Sequence, residues 1–80
     1  MKLPAIKKLV ENHSLEHCQQ AEQDLMNGEP LKIEVEGEDE GEQLTHLLGA
    51  IDIHERIRNE HKTPSLAIRE FFERVRNSIS

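Results

Sequence analysis

Apolar residues recur three and four positions apart in four stretches of the 80-residue chain, and they alternate with polar residues in a fifth. The first stretch opens at Pro4, which suits the first turn of a helix because an N–H there has no helical partner to lose. Ile6, Leu9 and Val10 follow at helical spacing, which predicts a short helix over residues 4–12. Ser14 is a good N-cap for a second helix, along which Leu15, Cys18, Ala21 and Leu25 continue the pattern before Gly28 ends it. A third helix is expected from Glu42 to about His61. Thr63 and Pro64 then read as the N-cap and first turn of a fourth, with an apolar stripe of Ile68, Phe71, Phe72, Val75 and Ile79.

The fifth stretch changes period. In Leu31-Lys32-Ile33-Glu34-Val35-Glu36 apolar and polar residues alternate strictly between Pro30 and Gly37, the pattern of a half-buried strand. An acidic loop over residues 34–42 leads from it into the third helix. The expected fold is therefore one domain over residues 1–80, mainly α, with about four helices and one short strand.

Two features of this order predict a homodimer. A lone strand leaves a row of backbone N–H and C=O groups unpaired, and a copy of itself across a two-fold axis would satisfy them. The third helix is also apolar around too much of its circumference. At 100° per residue, Leu44, Leu47, Leu48 and Ile51 cover one face, while Ala50, Ile53 and Ile57 cover nearly the opposite one. One face can pack on the chain's own helices and the other on a second subunit. The candidate interface is Leu31, Ile33 and Val35 of the strand with Ile53 and Ile57 of the helix. In such a pair Lys32 would lie near a glutamate of the other chain.

Charge sharpens this picture. Glu34, Glu36, Glu38, Asp39, Glu40 and Glu42 include no base among them, and these six acids match the whole net charge of −6. The rest of the chain is balanced. A net negative charge disfavours nucleic acid, and with neither Trp nor Tyr no stacking platform is expected. Arg69, Arg74 and Arg76 make only a small basic surface, broken by Glu70 and Glu73. No stretch approaches the ~20 apolar residues of a membrane span. Cys18 is the only cysteine, which forbids an intramolecular disulfide and fits a reducing cytoplasm.

Candidate chemistry is sparse. His46, His54 and His61 lie within the wide apolar arc of the third helix. His54 and His61 are seven apart, so ~10 Å separates them along the axis, too far for one ion with metal–nitrogen bonds of ~2 Å. Within one chain these three read as rim residues. His13 and His17 have the spacing of half a helical zinc motif, but Ser14, Leu15 and Glu16 stand between them, so the HExxH arrangement is absent. Cys18 shares the spacing of Leu15, Ala21 and Leu25 and reads as core. The acidic loop does not fit the calcium-binding frame of an EF-hand. No nucleophile elbow, phosphate loop or dinucleotide fingerprint occurs. No catalytic residue, metal site or cofactor is predicted. The favoured reading is a homodimer that acts through contact with protein partners. The alternative is a small metal- or redox-dependent enzyme built at a dimer interface from His46, His54, His61 or Cys18.

Three segments carry a resemblance: Met1-Lys2-Leu3-Pro4-Ala5-Ile6-Lys7-Lys8-Leu9, Glu42-Gln43-Leu44-Thr45-His46 and Arg74-Val75-Arg76-Asn77-Ser78-Ile79. With them the chain resembles a family of short bacterial proteins of unknown function and similar length. The resemblance implies a bacterial cytoplasmic setting and assigns no activity to any residue.

Overall fold

The computed structural model describes residues 1–79, the side chain of Ile79 excepted, so that residue's place in the apolar stripe lies outside the described residues. Four helices follow one another: α1 (Leu3–Asn12), α2 (Leu15–Met26), α3 (Glu40–Glu60) and α4 (Pro64–Ile79). They form a flat body of 32 × 29 × 16 Å. Helix α3 is its centre, packing against α1, α2 and α4, while α1 and α4 also touch each other.

Local chemistry explains most boundaries. Ser14 Oγ accepts from the His17 N–H and Thr63 Oγ1 from the Leu66 N–H, so both expected N-caps are made. At the end of α2, Gly28 takes φ 71°. Its N–H reaches the Leu25 carbonyl, and the Glu29 N–H reaches the Asp24 carbonyl at 2.8 Å, the double closure of a Schellman motif. Helix α3 starts two residues before Glu42 because Asp39 caps it, accepting from the Glu42 N–H at 2.8 Å. The Glu42 carboxylate reaches back to the Glu38 N–H at 2.9 Å. That bond holds the Glu42 carboxyl below its ordinary pKa, in a first turn where the helix dipole also favours negative charge.

The core joins Ile6, Leu9 and Val10 of α1, Cys18 and Ala21 of α2, Leu47, Ala50 and Ile53 of α3, and Ala67 and Ile68 of α4. Ile6, Leu47 and Ile53 are fully buried, each contributing ~1.5–3 kcal/mol by leaving water. Gly49 lets three helices converge. A Cβ built there would lie 2.9 Å from Ile6 Cδ1 and 3.2 Å from Phe71 Cζ.

Residues 31–36 correct the expected strand. Their alternation is real: Leu31 and Ile33 are half-buried and Val35 is 7 % exposed, while Lys32, Glu34 and Glu36 face water. Yet no β-ladder forms among the described residues, and the segment is an irregular tether, bent at Lys32 and Ile33, whose apolar side packs on the helical core. Side chains of α3 take the place of a second strand. Gln43 Nε2 donates to the Val35 carbonyl at 3.0 Å, and His46 Nδ1 donates to the Glu36 carbonyl at 2.7 Å. Gly37, at φ 155°, turns the tether into α3, and a Cβ there would come within 2.8 Å of the Gln43 nitrogen. Lys32 finds its carboxylate within its own chain, 3.2 Å from Asp24 Oδ2, rather than across a two-fold axis. The described residues therefore give the expected strand and its pairing no support.

Two expectations follow. Gly49→Val places a branched side chain between Ile6 and Phe71, and overpacking of that kind costs ~1–3 kcal/mol. Thermal denaturation should show a lowered melting temperature, and an unchanged one contradicts the close three-helix packing. Asp24 is 2 % exposed, and hydrogen bonds from Gln20 and then Lys32 hold its carboxyl below the ordinary value. A depressed carboxylate stabilises the fold above its unfolded pKa, and that stability is lost as pH falls through its folded value. Melting curves recorded from neutral pH downward should fall on entering the carboxylate range. The fall should be shallower in Asp24→Asn, and an equal fall in both proteins rules Asp24 out as its source.

Candidate functional site

The four helices leave three places where chemistry or binding can be sought: the buried histidines, the outward face of α3 and the groove between α1 and α4.

His46 is completely buried, and both ring nitrogens are engaged. The Lys2 N–H donates to Nε2 at 2.9 Å. An acceptor nitrogen carries no proton, so the ring is neutral and its proton sits on Nδ1, which donates to the Glu36 carbonyl. Lys2 is the N-cap of α1 and makes no side-chain cap of its own. One imidazole on α3 thus fixes both the start of α1 and the end of the tether. His54 does similar work at the other end of α1, where its Nε2 lies 2.8 Å from the His13 carbonyl. A carbonyl can only accept, so that nitrogen bears the proton. His61 is exposed and closes α3 in the left-handed conformation, at φ 55°.

These bonds keep the two inner histidines in structural use. Among the described residues, no group of three or more His, Cys, Asp or Glu is placed to share a metal ion. Cys18 is fully buried, and burial pushes its thiol up to about 11, away from the thiolate that redox or nucleophilic chemistry needs. The alternative of an enzyme at these residues gains no support from their geometry.

The structure separates the five residues proposed for a dimer seam. Ile53 has no exposure and Val35 only 7 %, both held in their own chain's core. Leu31, Ile33 and Ile57 are half-buried against that core. The other apolar face of α3 is the one left open. Helix α1 meets α3 at His46, Gly49 and His54. By the helical repeat, Leu44, Leu48 and Ile51 project on the opposite side. Leu48 is 48 % exposed, and Leu44 and Ile51 are half-buried. Arg58 reaches Glu16 of α2 along one flank at 2.8 Å, and Asp52 meets Arg74 of α4 along the other at 3.0 Å.

On the far side of the molecule, α1 and α4 diverge into an open groove of about 720 Å³. Lys7 and Glu11 line it from α1, and Ile68, Arg69, Phe72 and Arg76 from α4. Phe72 is half-buried and meets Phe71 edge-on, with ring centres 6.4 Å apart at 61°. The Arg74 guanidinium lies 5.6 Å from the centre of the Phe71 ring, the ring that Phe72 meets. No helix of the described residues is long and apolar enough to cross a membrane.

Comparison with family models now gives the chain its place: a model for a family of unknown function, DUF6952, matches residues 1–80. The chain belongs to DUF6952. The match spans all four helices, the tether, the open face of α3 and the groove, so each lies within the DUF6952 domain. No curated protein and no solved structure matches it.

The ring assignments can be read directly. Nitrogen-15 NMR of the imidazoles at neutral pH should show His46 protonated on Nδ1 and His54 on Nε2. The opposite tautomer at His46 contradicts the bridge between Lys2 and Glu36.

Proposed function

We propose that this chain is a non-catalytic, homodimeric interaction module whose seam is the outward face of α3. The observation that carries the reading is the position of Leu48, a large aliphatic residue 48 % exposed at the middle of the longest helix, between half-buried Leu44 and Ile51. Its own chain packs α3 from α1, α2 and α4 and reaches Ile51 at the edge of this face, yet leaves Leu48 open.

The charge pattern favours a second copy as the occupant. Glu40 and Arg58 are eighteen residues apart, or five full turns at 3.6 residues per turn, so they lie on one line along α3. They bracket the apolar patch with opposite signs. When two copies of α3 pack antiparallel, Leu48 of each lies over Ile51 of the other, and Glu40 of each approaches Arg58 of the other. The opposed helix dipoles agree with this direction. Arg58 shares its charge with Glu16 of its own chain, and both ends are exposed. Exposed pairs contribute ~0–1 kcal/mol, so here they set orientation more than affinity. Affinity comes from covering three aliphatic side chains per copy, each worth at most ~1.5–3 kcal/mol, against an association cost of ~4–15 kcal/mol. The balance is a weak, concentration-dependent dimer. The free thiol of Cys18 suits a cytoplasmic home for it.

Light scattering across a dilution series tests the reading. The wild type should approach the mass of two chains at high micromolar concentration. Leu48→Glu sets two carboxylates at the axis and should remain a monomer throughout, with unchanged helical circular dichroism. Glu40→Lys should weaken the dimer, and adding Arg58→Glu should restore it. A wild type with the mass of one chain at every concentration ends the proposal.

A further inference from the structure

The groove between α1 and α4 has a composition that the dimer reading does not use. Six of the ten Lys and Arg residues reach a carboxylate of their own chain within 4.0 Å: Lys8, Lys32, Arg56, Arg58, Lys62 and Arg74. Among the described residues, Lys2, Lys7, Arg69 and Arg76 form no such pair, and the last three all line this groove. In a chain of net charge −6, three of the four described cations without an internal carboxylate stand in one place. Glu11 and Glu73 share the rim but bind none of them. The lining therefore carries three positive charges against two negative ones.

The apolar part is built for contact. Ile68 is 6 % exposed, while Phe72 stands half-open beside it. The Phe72 ring is braced by Phe71, and Arg74, which lies over Phe71, is tied to Asp52 of α3. A ring fixed before binding loses little freedom when a ligand covers it. A groove of about 720 Å³ with one fixed aromatic ring and a cationic rim has room for one or two bulky side chains and the backbone that carries them.

We propose that this groove docks a short acidic segment of a partner protein, which seats a bulky apolar side chain on Phe72 and its carboxylates on Lys7, Arg69 and Arg76. Arginine suits this work because its planar fork holds a carboxylate through two parallel hydrogen bonds. Nucleic acid is the less fitting occupant. It would meet a single aromatic ring and the repulsion of a strongly negative chain. The site goes beyond the dimer proposal and does not depend on it. The groove belongs to α1 and α4, whereas the seam is the face of α3 turned away from α1.

A random-peptide display selection on the full chain, counter-selected with the R69E/R76E variant, tests the site. Both arginines are exposed and form no ion pair among the described residues, so the variant should keep the fold and the solution mass of the wild type. Selected peptides should combine Asp or Glu with at least one large apolar residue. A labelled peptide of that type should lose affinity for R69E/R76E at least about tenfold, a loss of ~1.4 kcal/mol, and should lose affinity in high salt. Amide shifts on binding should map to α1 and α4. The proposal is overturned if the selection yields basic peptides or no consensus, or if R69E/R76E binds the peptide as tightly as the wild type. It is equally overturned if R69E/R76E abolishes self-association, because the occupant is then a second copy. Failure of the α3 dimer leaves the peptide consensus, the affinity loss and the shift map intact, so the two proposals fail separately.

Discussion

The neutral imidazole of His46 is the constraint around which this small fold is arranged. A buried polar ring costs free energy unless both nitrogens are matched, and here each meets a backbone group far away in sequence. Nε2 takes the N–H of a residue 44 positions earlier, and Nδ1 gives its proton to a carbonyl 10 positions earlier. Neither contact is local to α3. A ten-residue helix such as α1 is marginal alone, and a tether without a ladder has no cooperative structure of its own. Both become fixed because a side chain of the central helix supplies the missing partner. His54 repeats the device at the far end of α1, so that helix is bonded to α3 at both ends as well as packed on it.

The rest of the architecture follows from asking one helix to serve three neighbours. A chain of this length buries only ~60 % of the surface it exposes when unfolded, so its core cannot be divided. Ile53, Leu47 and Ala50 place the centre of that core on α3, and Gly49 removes a side chain where α1 and α4 close on it. The other helices each bury one stripe. No element of the described residues covers the last face of α3, so a helix at the middle of the molecule still shows Leu48 to water.

Much of this was legible in the residues. Ser14, Gly28, Thr63 and Pro64 mark helix ends by local chemistry, and the structure uses each in that role. The start of α3 was less legible, because Glu40 and Gly41 look like loop until Asp39 is recognised as a cap. The tether shows the limit of period two. Alternation reports that one side of an extended segment is buried; it says nothing of what bonds the backbone, and here Gln43 and His46 do so in place of a strand. The helical wheel of α3 correctly showed two apolar faces, but a wheel has no inside. Ile53 and Ile57, assigned to the seam, turned inward, and Leu44 and Leu48 turned out. His46 read as a rim residue, although its position on the wheel beside Ala50 and Ile53 placed it in the buried arc. The groove was missed because it joins residues of α1 and α4 that lie some sixty positions apart, and no local pattern marks them.

The tether carries a further consequence. Residues 31–36 keep the composition of a β-strand while the fold withholds a ladder from them. Held against α3, their apolar side is covered and two of their carbonyls are occupied. An opening that breaks the His46 anchor frees the Glu36 carbonyl in a segment that keeps the pattern of a strand. Such segments seek edges in other chains, and alternating charges such as Lys32, Glu34 and Glu36 are the guard that natural sequences place against this. Damage at His46 is thus a route to aggregation as well as a loss of stability, and the glutamates of the tether gain a role in solubility that the closed structure does not display.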